Sequence, residues 1–287
     1  MDSLENFECY DHLLYEPFKE RGWQAETVSW RNRHVEWNRF DVVIIRSTWD
    51  YQQDYKAFIE VLREIEQSSA RLVNDLELVE WNIDKTYLRD LEEQGINTVP
   101  SLWCKAFKKN ELNDFFTQLE SNQIVIKPTI SAGADNTFWI KQENAENYRD
   151  ELSDIFKNRP FLVQPFMPNI ISEGEFSVFF FGETYSHTIL KTPKKNDFRV
   201  QEEHGGILRK VEPEEQLLAS ARKLLQTLTP KPFYTRIDYV RSQNSFSLME
   251  LELIEPSLYF NMDDDSPARF AEAFVKWVDK AEVKSEK

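Results

Sequence analysis

Tyr234-Thr-Arg236-Ile-Asp238-Tyr-Val240 and Ser247-Leu-Met-Glu250-Leu-Glu252-Leu-Ile254 are the two runs on which the fold turns. Both have the composition of β-strands, and the polar turn Ser242-Gln-Asn-Ser245 between them predicts an antiparallel hairpin. Successive side chains point to opposite faces, so Arg236 and Asp238 share a face, as do Glu250 and Glu252. Where those faces coincide, three carboxylates and one guanidinium meet. Anions so close repel one another and require a cation. Hard oxygen ligands suit a pair of Mg²⁺ ions carrying a polyphosphate. Alone, an acidic strand of this kind is usually the solvated face of a half-buried sheet, so the rest of the chain decides.

The chain has 287 residues, 41% hydrophobic and 14% aromatic, enough for two or three modest domains with cores of their own. No run of about 18 apolar residues is present, which excludes a membrane-spanning helix, and Met1 to Phe7 shows no secretory signal. Cys9 and Cys104 are isolated and without ligand spacing, as expected for a reducing cytoplasm. His12, His34, His187 and His204 form no metal motif. A net charge of −15 opposes non-specific binding to nucleic acid or anionic lipid. A phosphate site in so acidic a chain has to be built locally.

Outward from the hairpin, the pattern alternates. A helix is expected over 7–20, a short strand over Ala25 to Trp30, and a buried strand at Asp41-Val-Val-Ile-Ile-Arg46. An amphipathic helix over 53–66 and a strand at Arg71-Leu-Val-Asn74 complete a small open α/β unit. A helix over 82–94, a strand Thr98 to Trp103, a helix near 110–120 and strands at 123–127, 137–141 and 160–164 make a second unit, with a helix near 144–157. The third is richer in strands, at 174–182, 184–191, 233–241 and 245–254, with helices near 213–228 and 266–280 and a charged, frayed tail over 281–287. After the buried strand, Arg46 and Ser47 are candidates to bind a substrate carboxylate and Asp50 to hold an ammonium, because open α/β sheets place ligands at strand C-terminal ends. The competing reading is that Trp49 and Tyr51 pack and Asp50 caps the next helix. Neither a P-loop nor a dinucleotide fingerprint occurs, so an ATP site here needs a different fold.

Seven segments stand in one colinear series: Asn82-Ile-Asp-Lys85-Thr; Val125-Ile-Lys127-Pro; Ser131-Ala-Gly133-Ala; Val163-Gln164-Pro-Phe166-Met167; Gly174-Glu175-Phe-Ser-Val178; Phe198-Arg199-Val-Gln201 with Gly205-Gly206; and the hairpin carboxylates followed by Pro256-Ser257. This series resembles the ATP-grasp superfamily, in the branch of bacterial glutathione synthetase, D-alanine–D-alanine ligase and the ribosomal-protein glutamate ligases. The stretch Ile45 to Tyr51 is similar to a subgroup that includes cycloserine-forming ligases. The resemblance implies an α/β (α+β) ATP-grasp fold with a small N-terminal open α/β domain, over residues 1–80. A small ATP-grasp subdomain over 81–170 and a metal-bearing subdomain over 171–280 follow.

It also implies roles. Lys85, Lys127 and Lys191 neutralise phosphate, and the loop with Ser131 and Gly133 covers it. Gln164, Phe166 and Met167 receive adenine, and Glu175 holds the ribose. Asp238, Glu250 and Glu252 bind two Mg²⁺ ions, with Mn²⁺ as a substitute. Arg199 and Arg236 face the acyl phosphate and the oxyanion, with Gly205 and Gly206 near the transferring phosphate. Lys191 has the weakest case, because Lys194 and Lys195 beside it read as a solvated basic turn.

Three departures stand out: Glu252 where relatives more often have Asn, a phosphate-covering loop with one glycine, and no first strand ahead of Met1. The implied activity is ATP-dependent ligation of a small carboxylate to an amine through an acyl phosphate, releasing ADP and phosphate. Cyclisation or phosphorylation of an amino-acid derivative, and a non-catalytic nucleotide-binding module, are the alternatives. Oligomeric state is left open, a homodimer included.

Overall fold

The structure, a computed structural model, describes residues 1–5, 7–195 and 197–285. Its strands are β1 (Val42–Ile44), β2 (Arg71–Val73), β3 (Leu102–Cys104), β4 (Gln123–Pro128), β5 (Phe138–Lys141), β6 (Phe161–Pro165), β7 (Glu175–Phe181), β8 (Thr184–Thr192), β9 (Ile207–Lys210), β10 (Tyr234–Ser242) and β11 (Ser245–Glu252). They form three sheets: β1-β2, β3-β6-β4-β5 and β11-β10-β7-β8-β9.

In the N-terminal sheet β1 and β2 pair in parallel. The helix Tyr55–Glu66 buries Phe58, Ile59, Val61, Leu62 and Ile65 against it, and the Asp54 carboxylate caps it by accepting from Ala57 N–H. Two expectations fail here. The helix over 7–20 shrinks to a short 3₁₀ turn, Asp11–Leu14, and the helix Tyr15–Lys19. Residues 25–30 form no strand; they run past β1 with a cavity of about 920 Å³ beside them, so they take up none of its ladder hydrogen bonds.

The middle sheet is antiparallel throughout. Alternation in β4 turns Ile124 and Ile126 toward the helices Leu112–Gln118 and Arg149–Ile155, where they join Phe115, Phe116, Leu152 and Phe156. Val125 and Lys127 therefore face the opposite side.

The third sheet follows the same rule. Phe176, Val178, Ile237, Tyr239 and Leu251 pack with Leu217, Ala221 and Leu224 of the helix Glu215–Thr227. The other face carries Phe179, Phe181 and Ile189, packed on the helix Ser266–Ser285. That helix continues over 281–285, where a frayed tail is expected; Glu286 and Lys287 lie outside the described residues. Strand β9 is the element missing from the expected set.

Strand β11 lies at the edge of its sheet, yet several of its outer backbone groups are satisfied. Asn82 Nδ2 donates to Leu251 O at 2.8 Å and its Oδ1 accepts from Leu253 N at 3.0 Å. The Tyr87 hydroxyl accepts from Leu251 N at 2.9 Å, and Asn97 donates to Phe246 O at 2.8 Å. Asn74, just after β2, donates to Leu253 O and Tyr234 O at 2.8 and 3.1 Å. The Tyr234 hydroxyl reaches Ile45 O and Ile254 O at 2.8 and 2.7 Å. These bonds replace a ladder and weld the N-terminal unit to the hairpin.

Candidate active site

The hairpin register sets the site. Arg236 pairs with Glu252 and Asp238 with Glu250, with a bulge between Asp238 and Tyr239. All four side chains line a cavity of about 1210 Å³ between the two larger sheets and the N-terminal unit. Lys85, Lys127, Ser131, Gly133, Gln164, Phe166, Met167, Glu175, Arg199 and Asp50 also line it.

The carboxylates are held by the protein's own cations. Arg236 reaches Asp238 at 2.9 Å and also bonds Glu252. Lys191 lies 3.2 Å from Asp238 and pairs with Glu175, its cross-strand neighbour. Lys85 lies 3.1 Å from Glu250. Burial opposes ionisation of Asp238, but Arg236 and Lys191 overcome it and hold the carboxyl well below the usual range. Glu250 is likewise lowered against its burial by Lys85 and Lys127. Glu252 is not compensated to that degree: burial, with Asp238 and Glu250 beside it, pushes it up to about 7 despite Arg236. Burial lowers Lys127, with Glu250 acting in the other direction.

Among the described residues no group of three or more His, Cys, Asp or Glu is disposed as a metal site. The donors nonetheless fit Mg²⁺ by their chemistry. Asp238, Glu250 and Glu252 are hard oxygen ligands that line one cavity together.

Lys85 joins strand to loop. It donates to Ser131 O at 2.9 Å, and its backbone N–H donates to Thr129 O at 2.8 Å. It sits between the helices Leu76–Asn82 and Tyr87–Glu93, where one helix over 82–94 is expected, so it leaves the helical surface and reaches inward. The loop turns at Gly133, with φ of +60°; Ala134 and Asn136 follow in the left-handed region with φ of +58° and +49°, without glycine's freedom. At the other end, Phe166 stacks on Trp139 with ring centroids 4.3 Å apart, and Phe198 meets Trp139 edge-on. Buried Gln164 donates to Ser101 Oγ at 2.9 Å.

Five predicted residues do not line this cavity: Arg46, Ser47, Lys191, Gly205 and Gly206. Arg46 binds Asp11 at 2.9 Å and Pro256 O at 3.0 Å, and Ser47 also bonds Asp11. Arg46 thus fastens Asp11 of the N-terminal segment to the chain after β11, while Ser47 is occupied by that same segment. Asp50 does line the cavity, but it accepts from Trp30 Nε1 at 2.8 Å and pairs with Arg31, so its charge is already answered. Lys191 is a buried strut in β8, not part of a solvated turn. Gly206 lets two backbones approach, since a Cβ there would stand 2.0 Å from Val200 O. Arg199 lines the cavity while bound to Asp197 at 2.9 Å.

Glu255 was not anticipated. It follows the last strand position, so alternation does not reach it; a third acidic residue within six of Glu250 was the available signal.

Comparison with known proteins then gives the family. Residues 93–256 match the prokaryotic glutathione synthetase ATP-grasp domain. The chain belongs to that ATP-grasp family. Residues 1–74 match the N-terminal domain of the D-cycloserine synthetase DcsG. This ATP-grasp protein is 29% identical over 282 residues to the cycloserine biosynthesis protein DcsG of Streptomyces lavendulae, covering 92% of each chain. The crystal structure of D-cycloserine synthetase DcsG superposes with a TM-score of 0.82 at 25% identity, over 92% of this chain and 93% of that one. D-alanine–D-alanine ligase from Bacillus anthracis shares the fold, with a TM-score of 0.67 at 11% identity over 92% and 89% of the two chains. The protein is an ADP-forming ATP-grasp ligase that joins carboxylate to amine with ATP and Mg²⁺. No helix among the described residues is long and apolar enough to cross a membrane.

Proposed function

We propose that the ligation proceeds through an acyl phosphate on a small amino-acid derivative. The observation that carries this reading is the convergence of Arg236, Asp238, Glu250 and Glu252 with Lys85 and Lys127 on one cavity. A substrate carboxylate oxygen attacks the γ-phosphorus, the bond to the bridging oxygen breaks, and ADP leaves. The amine nitrogen then adds to the acyl carbon, loses its proton, and the tetrahedral oxyanion collapses with expulsion of phosphate. Such transfer needs positioning and charge neutralisation more than covalent help.

Lys85 and Lys127 neutralise phosphate oxygens. Ser131 and Gly133 cover them. Gln164, Phe166 and Met167 bound the adenine end, with Glu175 at the ribose. Arg236 and Arg199 serve the transferred group and the oxyanion, where a fixed donor is worth about 3 kcal/mol of barrier. Asp238, Glu250 and Glu252 would hold two Mg²⁺ ions, or Mn²⁺ in their place, which supply charge neutralisation across the phosphates.

A second reading has a specific observation behind it. The match of residues 1–74 to the N-terminal domain of a D-cycloserine synthetase favours an amine within the same molecule as the carboxylate, so that ligation closes a ring. A phosphate-release screen with Mg²⁺-ATP and amino-acid derivatives, with and without a separate amine, distinguishes the two. ADP and phosphate are expected, and Glu250→Gln should abolish them while folding is kept. AMP in place of ADP would refute the acyl-phosphate route.

A further inference from the structure

Resting on that reading, we propose that the Tyr259 hydroxyl donates a hydrogen bond to the phosphoryl group in transfer, beside Arg236. The backbone gives the first observation. Tyr259 sits in the left-handed region with φ of 45° and ψ of 46°, which a bulky side chain adopts only where its surroundings impose it. The surroundings do so carbonyl by carbonyl. Trp49 Nε1 donates to Glu255 O at 2.8 Å, Arg46 to Pro256 O at 3.0 Å, and His187 Nε2 to Leu258 O at 3.0 Å. Tyr259 O accepts from Met262 N at 2.9 Å, which closes the turn that follows. The strap after β11 is thus pinned along its length, and the side chain it presents to the site is a tyrosine.

The second observation is where that side chain goes. Tyr259 is 5% exposed and lines the active-site cavity. It meets Phe179 edge-on with ring centroids 6.1 Å apart, and the Arg236 guanidinium lies 6.0 Å from its ring centroid. Lys191, Arg236 and Asp238 are the charges that act most strongly on it. Packing alone would be served by phenylalanine. The hydroxyl forms no hydrogen bond among the described residues, although a buried tyrosine ordinarily finds a partner. The third observation is that Arg236 has little left to give. Its Nε donates to Asp238 at 3.2 Å, Nη2 to Asp238 at 2.9 Å and also to Glu252, and Nη1 lies 3.5 Å from Ser257 O. Lys191 is likewise engaged by Glu175 and Asp238. These two cations bring charge to a phosphoryl group but few free N–H groups to orient it. A neutral hydroxyl on a fixed backbone supplies that direction.

The test uses the full chain with Mg²⁺ and two probes, ADP alone and ADP with aluminium fluoride, which takes the place of the transferred phosphoryl group. In calorimetric titration, wild type should bind ADP with aluminium fluoride more tightly than ADP. Tyr259→Phe should lose about 10-fold of that gain, with the affinity for ADP and the Tm unchanged. In phosphate release its kcat should fall about 10²-fold while the KM for ATP stays. Tyr259→Leu, which removes ring and hydroxyl together, should fall at least as far in both assays. Full affinity for ADP with aluminium fluoride in Tyr259→Phe overturns the proposal, as does a wild type that gains nothing from the fluoride. A loss confined to Tyr259→Leu gives the ring a packing role and overturns it too. The two readings fail separately. If the fluoride effect is present and lost in Tyr259→Phe but wild type releases no phosphate with any acceptor, the ligase reading falls and the hydroxyl contact stands. If wild type turns over and Tyr259→Phe keeps kcat within about threefold, only the assignment of Tyr259 falls.

Discussion

Arg236→Met removes the guanidinium that joins Asp238 to Glu252 in a setting where the arginine side chain is 10% exposed. Asp238 keeps Lys191 at 3.2 Å and the Ser177 hydroxyl, so it stays compensated. Glu252 loses its cation. Because its carboxyl is already raised to about 7, it takes up a proton near neutral pH and does not stand as a bare buried anion. The loss of stability therefore falls at the low end for a broken buried pair, about 3 kcal/mol. With roughly 2.1 cal/mol/K of unfolding entropy per residue, the whole chain has about 0.6 kcal/mol/K, and Tm falls by about 5 °C. Turnover, measured by phosphate release, should fall by about 10²- to 10³-fold. The double variant Arg236→Met with Glu252→Met removes both partners and should recover most of the stability but none of the activity. The reasoning fails if Arg236→Met keeps kcat within about threefold of wild type, or if the double variant melts no higher than the single one.

Two further outcomes follow from the geometry. Burial lowers His187 from 6.5 to about 4, so its contribution to stability is complete above pH 6.5 and lost as pH falls toward 4. Urea unfolding across that window should show about 3 kcal/mol more acid destabilisation in wild type than in His187→Gln, and identical slopes would refute the assignment. Asn82→Ala orphans the buried Leu251 carbonyl and Leu253 amide, and should cost about 3 kcal/mol in thermal or urea unfolding; a loss under about 0.5 kcal/mol would show that the seam is not stabilised there.

Much of the site was legible because its key residues lie on strands, where period-two alternation assigns a face without knowledge of partners. That rule put Arg236 with Asp238 and Glu250 with Glu252; joining the two pairs took the resemblance of the whole series, and the register of β10 with β11 sets them opposite each other. What alternation cannot give is the partner each charge finds across the sheet. Lys191 is opposite Glu175 only in the register of β7 with β8, and no local pattern distinguishes that buried strut from the basic turn beside it. Arg46 and Ser47 follow a strand, as ligand-binding residues often do, yet Asp11, 35 residues from Arg46 in sequence, claims both. Strand β9 escaped because Ile207, Arg209 and Lys210 are exposed and carry no buried stripe. Residues 25–30 have the composition of a strand but no neighbour to pair with.

The seam formed by Asn74, Asn82 and Tyr234 bears on how such enzymes can be recombined. Exchanging N-terminal units between relatives is an obvious way to bring a new acceptor to an existing phosphoryl-transfer engine. A junction placed at the end of β2 leaves Asn74 and Asn82 with the strands whose backbones they complete, and the bond of this seam that has to form across it is that of the Tyr234 hydroxyl to Ile45 O. The graft can therefore end at Val73, provided that it presents the Ile45 carbonyl to the host's Tyr234 hydroxyl; the host keeps Asn74 and Asn82 on the edge of its own β11. The seam is held from the host side by these side-chain to backbone bonds, and the transferable module ends with its sheet.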